Sequence, residues 1–515
     1  MEEGLGVPLE GVQVVWFKRD LRVRDHAPLL QACQRGPIIC LYIYEPSWLL
    51  APDFDPMHLR FINQSLAELE VELARRGGQL LLRVGEVVEV LEGLHRKVPF
   101  GALWSHEETG NWLSFMRDRA VERWAQERGV VWHQSPCNAV VRRLKNRDLW
   151  AGIWQRRMGP KPLRPPDWIH RVPGLAAEGI RSPLELGLDS AGVRPEAVMG
   201  GERAGWAALE SFLEVRGVNY RADMASPVQG WRSCSRISPH LTWGNLSIRQ
   251  VHHRLGQQFE VLRRAPAPSV DPRWKNSLTS FRSRLFWHCH FIQKLEDEPE
   301  LEFRNMNPGF DGMRDHEHLD RTRFEAWCAG QTGYPLVDAC MRALHAGGWI
   351  NFRMRAMLVS FASYHLWLHW VEPARYLARQ FLDYEPGIHY TQFQMQSGVT
   401  GINTLRIYSP RKQAREQDPT GEFIKRYVPE LAGVPTEHLA EPHKMPPLLQ
   451  HSAGCVVGRD YPAPIVDHEV AYKAAKDAAF GWKKRPEVQK AAKIVYARHG
   501  SRKRRRNQRS HFGNG

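Results

Sequence analysis

Five apolar runs alternate with helical patterns in the first 135 residues. The runs cover residues 12–17, 38–44, 80–84, 102–104 and 130–132. Apolar runs of this kind, broken only by Gln13 and Arg83, are typical of strands that are buried on both faces. The intervening segments include one at 112–128 and one in which apolar residues recur every three or four positions, at Ile62, Leu66, Leu69 and Leu73. Strands that alternate with helices predict a Rossmann-like α/β domain with a doubly wound parallel sheet over residues 1–135.

Residues 136–205 interrupt this alternation. Prolines are concentrated in GPKPLRPP, at 159–166, and proline continues neither a helix nor a central strand. We therefore expect an interdomain linker over residues 136–205.

The pattern becomes helical from residue 206 onward. Apolar and aromatic residues occupy most of the helical circumference between 334 and 370, which indicates helices in a large core or around an apolar ligand. We expect an all-α domain over residues 206–480. The last segment, 481–515, ends in SRKRRRNQRS and is predicted to be a basic tail.

Composition narrows the class of protein. The 515 residues carry a formal charge of +15, with 43% hydrophobic and 25% charged residues, as expected of a soluble protein with more than one domain. No apolar run approaches the roughly 18 residues that a membrane span needs. The beginning of the chain lacks a secretion signal and the eight cysteines form no CxxC pair, so we expect a cytoplasmic protein. The positive charge favours a nucleic acid as partner.

Four clusters in the second half carry candidate chemistry. Residues 234–238 (CSRIS) suit either a pyrophosphate clamp or an ordinary helix cap. Residues 281–288 interleave cations with aromatic rings, which suits base stacking beside phosphates but also an aromatic core face. Residues 347–355 contain two arginines that burial would require to be paired, and residues 383–385 contain two acids.

Metal and hydrolase chemistry lack a matching pattern. His288 and His290 point to different faces of a helix, and no third ligand follows at helical spacing. The cysteines do not have the short spacing usual for iron–sulfur clusters, and no GxSxG elbow is present. We therefore expect no metal.

Four ordered motifs resemble the photolyase/cryptochrome family. They are VVWFKRDLRVRDHAPL (14–29), CSRISPHLTWGNLSIRQV (234–251), TGYPLVDACMRALHAGGWINFRMR (332–355) and PTGEFIKRYVPEL (419–431). The resemblance implies an α/β antenna domain, a long linker and a helical domain that binds FAD.

The resemblance also implies a set of FAD contacts. Arg355 matches the arginine that pairs with the aspartate at Asp383 beside the flavin ring. His389 stands at or beside the position where an asparagine commonly faces the flavin. The other implied cofactor residues are Tyr220, Cys234, Ser235, Arg236, Ile237, Ser238, His288, Tyr384 and Glu385.

In the implied lesion pocket, Trp287 matches the aromatic residue that stacks on a flipped-out pyrimidine pair. Arg284 replaces a glutamate, Phe352 an asparagine and Met395 a second tryptophan, and Arg353 belongs to the same pocket. The histidine pair expected of photolyases that repair (6-4) photoproducts is absent, which favours cyclobutane pyrimidine dimers as substrate.

The electron route and the antenna also depart from the common pattern. Trp370 keeps the middle position of the tryptophan relay and Phe393 occupies the flavin-proximal position. Four residues could supply another route: Trp367, Tyr364, Tyr384 and Tyr390. The segment 105–112 can hold a second chromophore through Trp48, Glu108 and Asn111, with methenyltetrahydrofolate preferred over a deazaflavin. A capped helix start explains the same residues.

The resemblance therefore favours a deoxyribodipyrimidine photo-lyase that transfers an electron from light-excited, reduced FAD to a flipped-out cyclobutane dimer. The alternatives are a photolyase for (6-4) photoproducts and a cryptochrome, which is a blue-light photoreceptor. Damaged DNA is the expected partner, and we expect a monomer with no membrane contact. The basic tail is compatible with a nuclear or nucleoid location.

Overall fold

The computed structural model describes residues 11–189, 194–266, 271–315 and 317–501. In these residues an α/β domain precedes a helical domain, as the sequence predicts. The end of the predicted basic tail, 502–515, lies outside the described residues.

The α/β domain contains a parallel five-stranded sheet with the strand order β3-β2-β1-β4-β5. Strands β2 and β3 are added on one side of β1, and β4 and β5 on the other, which is the arrangement of a doubly wound sheet. Ligands of such sheets lie beyond the carboxyl ends of the strands. The strands are β1 Gln13–Phe17, β2 Ile38–Tyr44, β3 Leu80–Val84, β4 Ala102–His106 and β5 Val131–Ser135.

Helices cover both faces of the sheet and bury its apolar strands. One face packs against α1 and α3, and the other packs against α4 and α5. All four residues of the predicted apolar stripe, Ile62 to Leu73, are buried in α3. The helices of this domain are α1 Ala27–Cys33, α2 Pro46–Leu49, α3 Pro56–Ala74, α4 Val87–Lys97 and α5 Trp112–Arg128.

The segment predicted as a linker, 136–205, crosses between the domains and contains the helix α6, Trp150–Met158. Its proline-rich part, 159–166, forms neither helix nor strand. Trp150 and Trp154 of α6 are buried beside the first helices of the next domain. This part of the linker is therefore packed against the helical domain.

The helical domain has two cores. The first lies under α7, α11 and α12, and the second under α14 to α17. Its helices begin with α7 Glu202–Glu214, α8 Tyr220–Asp223, α9 Pro227–Ser233, α10 Ser238–Thr242, α11 Ile248–Arg264, α12 Arg273–Asp297 and α13 Arg321–Ala329. They continue with α14 Pro335–Gly347, α15 Phe352–Ser360, α16 Val371–Gln380, α17 Pro386–Ser397, α18 Pro410–Gln417, α19 Glu422–Tyr427 and α20 Pro447–Ser452.

The final described segment differs from the expected tail. Helices α21, His468–Lys483, and α22, Pro486–His499, continue the fold through most of the described part of 481–515. Val488 and Val495 of α22 are buried, and the Asn307 side chain donates a hydrogen bond to the Val488 carbonyl. Helix α22 is therefore packed onto the domain. Among the described residues, none of the helices has the length and apolar character needed to cross a membrane.

Helices α12 and α17 pack at very short range around Gly387. A Cβ atom on Gly387 would lie 2.5 Å from the Ile292 Cα atom, so Gly387→Ala must push two helix backbones apart. We expect a loss of about 1–3 kcal/mol in the free energy of unfolding, measured by urea denaturation.

The matched control is Gly256→Ala on α11, where the added methyl group has no neighbour within 4 Å. That change should be neutral or stabilise by up to about 1 kcal/mol, because alanine favours a helix more than glycine does. Equal effects of the two changes would contradict the close packing of α12 and α17.

Candidate functional site

A bidentate ion pair joins α15 to the loop before α17. The two terminal nitrogens of Arg355 lie 2.9 Å from the two carboxylate oxygens of Asp383. The Arg355 Nε donates to the Ile350 carbonyl at 2.8 Å, and the guanidinium lies 4.3 Å above the Phe381 ring. This geometry fixes the arginine in one orientation and neutralises a buried acid. The pairing that the resemblance implied is present.

Four successive backbone carbonyls of that loop each accept a side-chain hydrogen bond. Two donors come from the α/β domain and two from the end of α10. The bonds run from His58 to Phe381, from Trp243 to Leu382, from Thr242 to Asp383 and from Arg19 to Tyr384, at 2.9, 2.9, 3.3 and 2.8 Å. The loop is therefore positioned by both domains at once.

His58 is a neutral donor in this arrangement. Its Nδ1 accepts a hydrogen bond from the Asp55 backbone, so its Nε2 carries the proton that reaches the Phe381 carbonyl. Burial lowers the pKa of the His58 ring, which keeps the ring uncharged near neutral pH.

The segment from Tyr220 to Ser238 forms the second part of the site. The Arg216 guanidinium supports this segment by donating hydrogen bonds to the backbone carbonyls of Arg232, Cys234 and Ser235. Tyr220 is buried edge-on against Phe212 and Phe281. Ile237 is buried, whereas Ser235 and Ser238 are half-buried.

Arg236 has the unusual features of this segment. Its backbone adopts a left-handed conformation with φ of 56°, and its guanidinium lies 4.9 Å from the Trp231 ring. The buried Nε has no hydrogen-bond partner, and burial lowers the pKa of the side chain. An unpaired guanidinium nitrogen inside a protein fits an anionic ligand such as a pyrophosphate.

His288 and Glu385 face a cavity between the two domains. Arg19, Asp20, His106 and Thr242 contribute to the same lining. Burial and the nearby Arg19 lower the pKa of His288 to about 4, and burial raises the pKa of Glu385. The His288 Nδ1 and the Glu385 Oε1 are buried without partners, although Glu385 contacts Arg19 at 3.4 Å through its other oxygen.

His389 lies on α17, one turn after the loop. Its Nε2 donates to the Ala374 carbonyl at 2.8 Å, which leaves Nδ1 as the unprotonated nitrogen. Burial lowers the pKa of His389 to about 4. His389 is therefore an uncharged histidine near neutral pH.

The predicted lesion residues lie on α12, α15 and α17. Trp287 is half-buried and packs against His290 and Phe291 of its own helix. Phe352 is 53% exposed at the start of α15, and Arg353 lies 5.7 Å from the Tyr408 ring. Met395 is half-buried, and exposed Arg284 approaches the Met224 sulfur at 3.7 Å.

The three predicted electron-transfer residues have different surroundings. Trp370 is fully buried, its indole N–H donates to Asn305 at 2.8 Å, and its ring lies 6.4 Å from Tyr390. Phe393 is buried against His389. Trp367 has a left-handed backbone, and the Arg314 guanidinium lies 4.7 Å from its ring.

Each of the three predicted antenna residues contacts other side chains or backbone groups of the protein. Trp48 packs edge-on against Trp243, and Glu108 forms an ion pair with Arg117. Asn111 caps α5 through the Ser114 backbone and donates to Asp53 at 2.9 Å. The alternative to a chromophore site was a capped helix start with an acidic first turn. The Asn111 cap is present, but the first turn of α5 contains no acidic residue.

Several residues that build the site are not predicted by any sequence motif. Asn351 donates to three successive carbonyls, of Met224, Ala225 and Ser226, and so ties α15 to the region before α9. Arg19, His58 and Trp243 act through backbone carbonyls far away in the chain. The one available signal was Arg19, which directly follows β1, where ligands of a doubly wound sheet are expected.

Comparisons with known proteins agree with this architecture. Residues 13–145 match the family model described as DNA photolyase, and residues 281–480 match the FAD binding domain of DNA photolyase. A cryptochrome DASH from Gloeobacter violaceus is 29% identical, over 90% of this chain and 96% of that protein. A deoxyribodipyrimidine photo-lyase from Agrobacterium fabrum is 27% identical, over 92% of this chain and 98% of that protein.

A solved structure also resembles the whole chain. It is a bacterial class III photolyase from Agrobacterium tumefaciens, with a TM-score of 0.81 and 25% identity over 94% of this chain and all of that one. The chain belongs to the photolyase/cryptochrome family, with an α/β domain followed by a helical FAD-binding domain. The unpaired Arg236 nitrogen and the fixed Arg355 guanidinium fit an anionic, hydrogen-bonding cofactor of this kind.

Removing the carboxylate of the central pair should destabilise the flavin loop. Asp383→Ala leaves the Arg355 guanidinium with its carbonyl and ring contacts but without a counter-charge, and we expect a loss of about 2–3 kcal/mol and poor FAD retention. Flavin absorbance per protein and the melting temperature check this. Arg263→Ala, which breaks an exposed pair with Glu260, is the control and should leave both unchanged. Full flavin retention in the Asp383 variant would contradict the assignment.

The buried His389 should make stability pH-dependent. Its pKa is about 4 in the folded chain and about 6.5 as a free side chain, so the unfolded state binds more protons in between. Stability is therefore lost as the pH falls from about 6.5 towards about 4. His389→Gln keeps an N–H donor and removes the titrating ring. The variant should lose about 2 kcal/mol less than the wild type between pH 7 and pH 5, measured by urea denaturation. Equal losses in both proteins would contradict this role.

Proposed function

We propose that this protein is a light-dependent DNA repair enzyme that splits cyclobutane pyrimidine dimers. Bound FAD, reduced and excited by blue light, supplies the electron that opens the cyclobutane ring and recovers it afterwards. The family model supports an FAD-binding domain, and relatives with the names photo-lyase and cryptochrome match to similar extents.

The observation that carries the proposal is the surface of α12 and α15. On α12, half-buried Trp287 is close in sequence to Arg282 and Arg284, and on α15 exposed Phe352 precedes Arg353. None of these three arginines forms an ion pair with a carboxylate among the described residues, whereas many other arginines of the chain do. Aromatic rings in segments whose arginines have no carboxylate partner suit stacking on bases and contact with phosphates.

Each part of the site then has a defined task. Arg236 and the serines around it bind the pyrophosphate of the cofactor. Arg355, held in one orientation by Asp383, would offer guanidinium N–H donors to the flavin and so favour its reduced, anionic form. Trp287 supports the flipped-out dimer, whose extrusion costs less than that of intact bases because a lesion is already weakly stacked.

An antenna chromophore, a folate in preference to a deazaflavin, remains part of the proposal. We assign the chromophore no binding residues, because Trp48, Glu108 and Asn111 already interact with other residues of the protein. We further propose a monomer in the cytoplasm or at the nucleoid, with DNA as the partner.

The stacking role of Trp287 makes a specific prediction. Trp287→Ala should lose about 1–3 kcal/mol of affinity for DNA that contains a cyclobutane dimer, the usual value of a base–aromatic stack. Affinity for undamaged DNA should stay the same, since it depends on phosphate contacts. Fluorescence anisotropy with both DNAs measures the ratio, and flavin content shows that the fold is intact.

The matched control is Trp168→Ala, which removes an exposed tryptophan from the linker. It should leave the ratio of the two affinities unchanged. A Trp287 variant that holds its flavin and keeps the wild-type ratio would remove Trp287 from the lesion site.

Illumination of chemically reduced protein with defined substrates tests the activity. Repair of a cyclobutane dimer in light, with none in the dark, is the expected result. Repair of a (6-4) photoproduct alone would change the substrate, and no repair by fully reduced protein would favour a photoreceptor.

A further inference from the structure

The end of the chain holds most of its excess positive charge. Residues 468–515 contain 14 Lys and Arg but only three Asp and Glu, which accounts for 11 of the 15 net positive charges of the protein. Most of the described part of this region consists of α21 and α22, which are joined by Lys484 and Arg485. We propose that these two helices form a second nucleic-acid surface, which binds the phosphates of a DNA duplex outside the lesion pocket.

One side of α21 presents three exposed lysines to solvent. Lys473 and Lys476 lie on the helix, and Lys484 caps its C-terminal end. With 3.6 residues per turn, the three lysines fall on one side of the helix together with the exposed ring of Phe480. Ala475, on the opposite side, is buried in the domain. The lysines therefore form a stripe about 16 Å long that faces away from the protein.

Helix α22 has the same arrangement of charged and buried residues. Lys490 and Lys493 lie on its exposed side, next to exposed Ile494. Val488 and Val495 lie on the other side and are buried. The two consecutive helices thus each turn their lysines outward and their small or apolar residues inward.

The charge of these lysines is not neutralised by the protein. Among the residues that the structure describes, five of them form no ion pair with a carboxylate: Lys473, Lys476, Lys484, Lys490 and Lys493. Of the three acids in this region, Glu469 is already paired with Arg411 of α18. Unneutralised surface cations attract a polyanion, and each phosphate contact gains free energy by releasing condensed counterions.

The pattern fits phosphates better than a lipid surface. A helix that lies on a membrane needs a continuous apolar face opposite its charged face. The exposed apolar residues here form no such face, because they share the exposed surface of the helices with the lysines: Val470, Phe480, Ile494 and Tyr496. The lysine stripe on α21 is as long as a stretch of duplex that carries roughly nine phosphates.

The surface is separate from the predicted lesion pocket. The end of α22 contacts the end of α12, where Arg498 donates to the Asp297 carbonyl and the His499 Nε2 lies 2.9 Å from a Glu298 oxygen. Ten helical residues separate Asp297 from Trp287, which is about 15 Å along α12. Contacts with phosphates carry no information about bases, so this surface binds damaged and undamaged duplex equally. The inference rests on DNA as the partner proposed above.

The test compares full-length, FAD-loaded proteins that differ by three charges. The variant combines three substitutions on the α21 stripe: Lys473→Gln, Lys476→Gln and Lys484→Gln. The control makes the same change at three exposed lysines outside the two helices: Lys97→Gln, Lys145→Gln and Lys161→Gln. Fluorescence anisotropy measures the affinity for damaged and undamaged duplexes over a range of salt concentrations.

The variant should bind both duplexes about tenfold more weakly at low salt. Its plot of log affinity against log salt concentration should be shallower by up to about 2.5, because each phosphate contact contributes about 0.9 to the slope. The ratio of the two affinities should stay at the wild-type value, and the control should match the wild type throughout. Melting temperature and flavin absorbance show that each protein is folded and loaded.

Four results would contradict these expectations. Equal affinities and slopes in the variant and the wild type would overturn the inference, and so would a loss confined to damaged DNA. Weaker binding to vesicles of phosphatidylcholine and phosphatidylglycerol, with DNA binding intact, would assign the surface to a membrane instead. A wild-type protein that binds neither duplex would overturn the proposed function itself.

Discussion

The loop from Phe381 to Glu385 is the part of the structure on which the site depends. Its Asp383 side chain neutralises Arg355, and its four carbonyls accept hydrogen bonds from Arg19, His58, Thr242 and Trp243. A buried carboxylate is costly unless its charge and hydrogen bonds are satisfied, so the loop holds this position only while both domains are in place. The α/β domain thereby helps to set the geometry of a site that lies in the helical domain.

Charge inside the molecule is kept low around this loop. His58 and His389 are buried and His288 is half-buried, and desolvation lowers the pKa of each, so that all three are uncharged near pH 7. Among the charged groups at this loop, Arg355 pairs with Asp383 and Arg19 with Glu385, whereas the buried Nε of Arg236 has no partner among the described residues. The unpaired Arg236 nitrogen favours an anionic group such as the pyrophosphate of FAD.

Local patterns predicted the fold well but the site only in part. Apolar runs and the helix at 112–128 gave the sheet and α5 closely, because burial on both faces leaves a strong periodic signal. The resemblance to the family motifs predicted the ion pair between Arg355 and Asp383. Contacts of Arg19, His58 and Asn351 could not be predicted, since they end on backbone carbonyls, which have no sequence signature. Helix α22 was not predicted, because the basic composition of residues 481–515 indicated a tail.

A crystal structure of the FAD-loaded protein tests the central claim most directly. The account predicts that the flavin ring lies against the Arg355 guanidinium, and that the pyrophosphate contacts Arg236, with the four carbonyl hydrogen bonds of the loop unchanged. A flavin bound elsewhere, or an Arg355–Asp383 pair that faces away from the ring, would contradict it.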